Sequence, residues 1–536
     1  MVASNGGGFY QRVEAAFPAQ REAWLLETED GRRYRYQDAV GASARYANLL
    51  RAAGLHKGDR LLVQVEKSPE ALFVYLGCLR AGVIFVPLNP AYRSEEVGFF
   101  LEDAEPAAVV CDPTAAAAAH GRRRSGGRRV LYTLDAQGGG SLAEAAREHA
   151  TRFHDEASAE EEVAAILYTS GTTGRPKGAM ITHRNLASNG EALCAIWGFQ
   201  ADDVLLHALP VFHAHGLFTA LHCVLLSGSR MLLMRRFEAA TACRLLPRAT
   251  VFMGVPTFYT RLLSERAFGA PVCADVRLFT SGSAPLLPET FERFERRVGR
   301  RIVERYGTTE AMIITSNPLQ GERRAGSVGR ALPGIEVRIA DDQGRALEAG
   351  APGSVQCRGP NVFKGYWRRP QASAKAFTPD GFFVTGDLGR VDAEGYVTLV
   401  GRTSDLIISG GYNVYPREVE NVLDGMRGVE ESSVFGVPHP DFGEGVVAAV
   451  RVSAGARDLR EPDVIEYANA RLANYKVPKR VVFLEQLPTN PMGKVQKTVL
   501  RERYGTLFEG GAGAEHTSSS SQEGRGEVVD RSDNGV

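Results

Sequence analysis

The chain has 536 residues, more than one hydrophobic core commonly organises, so at least two domains are expected. Hydrophobic residues make up 44% and charged residues 24%, the balance of an ordinary globular protein, and no apolar run is long enough to span a bilayer. Lys plus Arg and Asp plus Glu both number 63, which removes any overall pull toward nucleic acid or acidic membranes.

The first residues, Met1-Val-Ala-Ser-Asn-Gly-Gly-Gly8, lack a charged segment followed by an apolar core, and Arg12 is the only arginine nearby. A cytoplasmic location is expected, ahead of a mitochondrial or plastid matrix. Seven cysteines are scattered without CxxC pairs, which reads as reduced, buried thiols and not as a disulfide frame or a zinc site.

Residues 36–53 carry helical periodicity through Tyr36, Val40, Tyr46, Leu49 and Leu50 and stop near Gly54. Residues 60–65 read as a strand, 70–79 as a helix and 83–88 as a strand. That alternation predicts a mostly parallel sheet with crossover helices. Residues 114–129 interrupt it with an alanine run and a basic cluster, Arg122 to Arg129, read as a solvated loop insertion. Short apolar runs at 163–167, 204–209, 231–234, 250–253 and 276–280 continue the strand pattern.

After Pro352 the character shifts to short strands and turns at 353–357, 381–384 and 395–400. A small separate domain is expected beyond Gly401, with a helix at 417–426 and strands near 431–435 and 445–452. No internal repeat is present. Residues 508–536 are too poor in apolar groups to order. The predicted fold is therefore α/β, with a large N-terminal domain (1–401) of layered, mostly parallel sheets. A small mobile α+β domain (402–507) and a disordered tail (508–536) follow.

The densest chemistry lies in Thr169-Ser-Gly-Thr-Thr-Gly-Arg-Pro-Lys-Gly178, directly after the apolar run 163–167. Glycines let backbone N–H groups converge on an anion, hydroxyls add donors, and Lys177 adds a point charge, so the stretch reads as a phosphate cradle. It is not the usual P-loop, since the Gly-x-x-x-x-Gly-Lys-Ser/Thr spacing is absent.

That stretch resembles the signature of the adenylate-forming enzymes, which include acyl-CoA synthetases, luciferases and adenylation domains. Further matches follow in the family's order: Tyr306-Gly-Thr-Thr-Glu310, Thr385-Gly-Asp387, Gly401-Arg402, Ser409-Gly-Gly-Tyr-Asn-Val-Tyr-Pro416 and Pro491-Met-Gly-Lys494. The resemblance covers roughly residues 10 to 505, and within the family it is nearest to malonyl-CoA synthetases.

The resemblance implies ATP, Mg²⁺ and coenzyme A. Thr169, Ser170, Gly171, Thr172, Thr173, Gly174 and Lys177 would hold the β- and γ-phosphates. Thr309 would touch the α-phosphate and Glu310 would hold the metal, an oxygen ligand for a hard cation. Ser283, Ala284, Tyr306 and Gly307 would line the adenosine pocket, with Asp387 and Arg402 on the ribose; Asp387 is read as following a turn at Thr385-Gly386. Lys494 would bridge the acyl carboxylate and the α-phosphate, which requires the small domain to close on the large one. A rotation would then bring Ser409, Gly410, Gly411 and Tyr412 to the acyl-adenylate for the CoA thiol. Three departures stand out: Thr308 replaces the usual Met, Ala311 a common Thr, and Ser404 the Asp or Lys usual at the hinge.

Phe212-His-Ala-His-Gly-Leu217, Val255-Pro-Thr-Phe-Tyr-Thr-Arg261 and Glu304-Arg-Tyr-Gly307 would line the acyl pocket, with His213, Arg261, Ser283 and Arg305 toward the substrate. A pocket for a fatty tail or aryl ring keeps cations away, whereas a dicarboxylate offers arginine a second carboxylate. The expected reaction is therefore activation of malonate, or methylmalonate, and transfer to CoA. A medium-chain or aryl monocarboxylate, or loading of a carrier protein, are the alternatives. No nucleic acid, membrane or obligate protein partner is expected.

Overall fold

The structure, a computed structural model, describes residues 7–116, 129–169, 176–453, 455–456, 458–490 and 494–508. The basic cluster at 122–128, the loop 170–175, Pro491-Met-Gly493 and the tail from 509 onward lie outside them.

Two mostly parallel sheets form the larger, N-terminal part. The six-stranded one runs Val130–Thr133, Ala108–Cys111, Arg60–Gln64, Ile84–Pro87, Val163–Thr169 and Lys177–Thr182, parallel but for its last pair. The nine-stranded one has six parallel strands at its centre, Val303–Thr308, Leu278–Ser281, Val251–Gly254, Val204–His207, Arg230–Leu233 and Trp24–Thr28. Antiparallel strands close both edges. Their short apolar runs reflect burial on both faces, as parallel sheets covered by crossover helices require.

Helix Pro69–Ala81 shows how local chemistry sets these crossovers. The Ser68 hydroxyl accepts from the Ala71 N–H, Pro69 opens the first turn, and Gly82 closes the helix in the left-handed region. Almost every side chain of it is buried, because it packs against helix Tyr36–Ala52 inside the main core.

A four-stranded antiparallel sheet, Glu336–Ala340, Gly353–Arg358, Phe383–Val391 and Val397–Arg402, follows. The turn read at Thr385-Gly386 is instead part of strand Phe383–Val391. Gly386 has a φ of 76°, and the register slips opposite Ser354 and Gln356, so the extra residues bulge without ending the strand. The smaller C-terminal domain is built on Val429–His439 paired with Gly443–Val452, with helix Pro416–Asp424 packed on it and its own apolar core. All seven cysteines are free, six of them buried.

Candidate active site

The site lies beyond the carboxyl ends of the parallel strands, the usual binding face of an open α/β sheet. Strand Val204–His207 leads to His213 and His215, strand Leu278–Ser281 to Gly282, Ser283 and Ala284, and strand Val303–Thr308 to Thr309 and Glu310. Strands Val163–Thr169 and Lys177–Thr182 pair antiparallel with Thr169 opposite Lys177, the two residues that flank the segment between them. Ser170, Gly171, Thr172, Thr173 and Gly174 fall within that segment, outside the described residues.

At one end of the cleft, Asp387 is buried, accepts from the Tyr306 hydroxyl at 2.6 Å and forms an ion pair with Arg402, Nε 3.1 Å from Oδ1. Burial, then the Asp387 charge, holds the Tyr306 phenol far above its ordinary range, so it is a donor at any physiological pH. Gly307 is required where it stands, since a Cβ there would collide with the Met312 carbonyl.

Glu310 accepts from the Tyr366 hydroxyl at 3.0 Å, and burial raises its carboxyl pKa. Lys177 Nζ stands 5.2 Å from the centre of the same Tyr366 ring. A single carboxylate suits Mg²⁺, which commonly takes one or two protein carboxylates and completes its shell with substrate phosphates and water. No group of three or more His, Cys, Asp or Glu suited to a metal occurs among the described residues.

Lys494 reaches this end of the cleft from the C-terminal domain. Burial first, then the Arg402 charge, pushes its ammonium down to about 8, against opposing pulls from Asp387 and Asp405. In the hairpin carrying Ser409, Gly410, Gly411 and Tyr412, Ser409 is buried while Gly410, Gly411 and Tyr412 are exposed, with Tyr412 stacked on Tyr475 at 4.7 Å.

The other end of the cleft is built around Arg305. It is only 4% exposed, and its Nε and Nη2 find no partner among the described residues. Burial pushes its guanidinium down to about 9. Beside it His215, also 4% exposed, has Nδ1 3.2 Å from the Ser283 hydroxyl and Nε2 without a partner among the described residues. Burial and the Arg305 charge keep this imidazole neutral. Ser283 itself takes a φ of 71°, a costly backbone state for a non-glycine residue. His213 is half-buried against Phe212, its ring held neutral by burial at about 4.

The segment bearing these histidines is pinned from below. Buried Lys67 donates to the carbonyls of His207 at 3.1 Å and Leu209 at 2.8 Å, while His207 Nε2 lies 2.9 Å from the Gly216 carbonyl. A π-helix, His215–Leu221, follows at once.

Arg261 needs correction as a pocket residue. It is exposed on helix Pro256–Ser264, because Tyr259, Leu262 and Leu263 form the buried face and turn it to solvent. Arg305 is therefore the buried cation, and Arg261 is not. Two residues that the sequence does not single out enter the site: His215, inside the Phe212 to Leu217 stretch expected to line the acyl pocket, and Tyr366, within Gly359-Pro-Asn-Val-Phe-Lys-Gly-Tyr-Trp367.

Residues 11–367 match the family model of the AMP-binding enzymes, and residues 418–494 match that of the AMP-binding enzyme C-terminal domain. ATP-bound MatB from Rhodopseudomonas palustris superposes with a TM-score of 0.91 at 46% identity, over 94% of this chain and 100% of that one. A malonate–CoA ligase of Arabidopsis thaliana is 31% identical over 94% of this chain and 90% of its own length. A long-chain-fatty-acid–CoA ligase of Mycobacterium tuberculosis is 34% identical over 93% of this chain and 98% of its own.

Proposed function

As the chain belongs to the AMP-binding enzymes, the adenylate-forming acid–CoA ligases, we propose that its acid is malonate, with methylmalonate as a close second substrate. The observation that carries this reading is the buried Arg305 guanidinium with two donors unpartnered among the described residues, beside the unpartnered His215 Nε2. A buried cation without an anion is costly, and a second carboxylate on the substrate relieves that cost by charge-assisted hydrogen bonds. A fatty or aryl tail would leave it unrelieved. The malonate–CoA ligase among the relatives supports the same choice.

Each residue then has a task in the first half-reaction. Arg305 and His215 take the far carboxylate of the acid, which leaves the near one directed to the α-phosphate of ATP. Lys177 neutralises phosphate charge from one side, and Thr309 donates to the α-phosphate. Glu310 would hold Mg²⁺, which when bound neutralises phosphate charge. Asp387 and Arg402 hold the ribose, with Tyr306 fixing the Asp387 carboxylate. Lys494 bridges the reacting carboxylate and phosphate as negative charge develops there.

The arrangement of Lys494 at the cleft and Tyr412 in solvent suits adenylation. The C-terminal domain then pivots near Ser404, withdrawing Lys494 and presenting Ser409, Gly410, Gly411 and Tyr412 to the CoA thiol. The test is formation of CoA thioesters acid by acid. Malonate and methylmalonate should lead; preference for butyrate or a cinnamate would overturn the assignment.

A further inference from the structure

Tyr366 belongs to a segment tied to both sides of the phosphate site. Its backbone zips onto the strand that begins at Lys177: Met180 N–H donates to Gly365 O at 3.0 Å, Lys364 N–H to Met180 O at 2.9 Å and Trp367 N–H to Gly178 O at 2.7 Å. Three residues before Tyr366, Phe363 N–H donates to the Glu310 carbonyl at 2.7 Å. The side chain repeats the same two ties. Its hydroxyl donates to Glu310 Oε1 at 3.0 Å, and its ring lies 5.2 Å from Lys177 Nζ. The ring itself is fixed edge-on by Phe363, and Ser373 Oγ accepts the Tyr366 N–H at 2.8 Å.

We propose that Tyr366 is a positioning residue that sets the separation of the Lys177 ammonium and the Glu310 carboxylate across the phosphates of ATP. The hydroxyl governs the carboxylate and the ring face governs the ammonium, so one side chain carries two separable functions. The proposal rests on the assignment of Glu310 to the metal made above.

Calorimetric titration of ATP, with and without Mg²⁺, separates the two. Tyr366→Phe keeps the ring and should bind metal-free ATP as the parent does. Its gain in ATP affinity on adding Mg²⁺ should shrink about tenfold, the loss of one hydrogen bond to a charged group. Tyr366→Leu should lose that gain and in addition weaken metal-free ATP by about threefold, the value of a cation over a ring. Glu310→Gln, titrated alongside, reports on the underlying assignment. A full Mg²⁺ gain in Tyr366→Phe beside a lost gain in Glu310→Gln overturns the proposal. Equal losses in both Tyr366 variants with a matching drop in melting temperature also overturn it, as the ring would then be packing alone. A full gain in Glu310→Gln removes the assignment on which the proposal rests.

Discussion

The guanidinium of Arg305 lies against the bare Cα of Gly282, where a Cβ would come within 2.5 Å of its Cζ and 2.6 Å of its Nε. The neighbour in the way is the far end of a flexible side chain, so Gly282→Ala should fold and shift the guanidinium instead. A displacement on the order of 1 Å in a substrate-orienting group costs up to about 100-fold. The KM for malonate is therefore expected to rise about 10- to 100-fold with the KM for ATP unchanged, measured by pyrophosphate release.

Lys494→Ala should abolish adenylation while sparing thioester formation from supplied acyl-adenylate, since only the first arrangement uses the ammonium. The parent should show the same division with pH. With its pKa lowered to about 8, Lys494 is charged below that value and loses its proton above it. Adenylation kcat/KM should fall as pH rises through about 8, and the thioester half-reaction should not. Equal loss of both half-reactions in a folded Lys494→Ala would contradict the alternation.

Glu310→Gln keeps shape and removes the anionic oxygen. Adenylation should drop by about two orders of magnitude or more and demand more Mg²⁺, measured as the metal concentration for half-maximal rate. An unchanged demand would remove Glu310 from the metal.

Glu304 is buried beside the site; its carboxylate accepts the Leu286 N–H at 3.1 Å through Oε1 and has Oε2 unpartnered among the described residues. Burial raises its carboxyl from 4.5 to about 8, opposed by that N–H and by the Arg417 charge from the C-terminal domain. A folded pKa above the unfolded one means stability is full below 4.5 and declines as pH rises toward about 8. Glu304→Gln should remove this decline, giving a melting temperature higher than the parent's near the top of that window and a small difference at its foot. A parallel pH dependence in parent and variant would show that Glu304 is ionised in the fold.

Much of this architecture is legible in the residues themselves, and the exceptions have physical causes. Helix Tyr36–Ala52 carries a clear 3.6 period, and the parallel strands are short apolar runs bounded by turns. Strand Phe383–Val391 looked shorter because Gly386 imitates a turn, and only pairing with Gly353–Arg358 and Val397–Arg402 carries it through the bulge. His213 and His215 are two positions apart, and which of them meets Ser283 depends on the π-helix that starts at His215. Arg261 and Arg305 sit in equally suggestive motifs, yet a strand buries one and a helix exposes the other. Here a signal was available: Tyr259, Leu262 and Leu263 at i, i+3 and i+4 already mark a face that excludes Arg261. Tyr366 had no such signal, since its neighbours at Lys177 and Glu310 come from distant parts of the chain.

The dicarboxylate assignment rests on one fork of hydrogen-bond donors, and deleting it tests the account most directly. Arg305→Met keeps an apolar stem of similar reach. Stranding the far carboxylate of malonate should cost roughly 2–5 kcal/mol, or about a 30- to several-thousand-fold drop in specificity constant. Butyrate has no far carboxylate, so its turnover should hold or rise, and the ratio of the two substrates cancels any general damage to folding or to ATP binding. A malonate-to-butyrate ratio that collapses by that factor is the predicted result. Parallel loss of both substrates would make Arg305 structural and contradict the assignment.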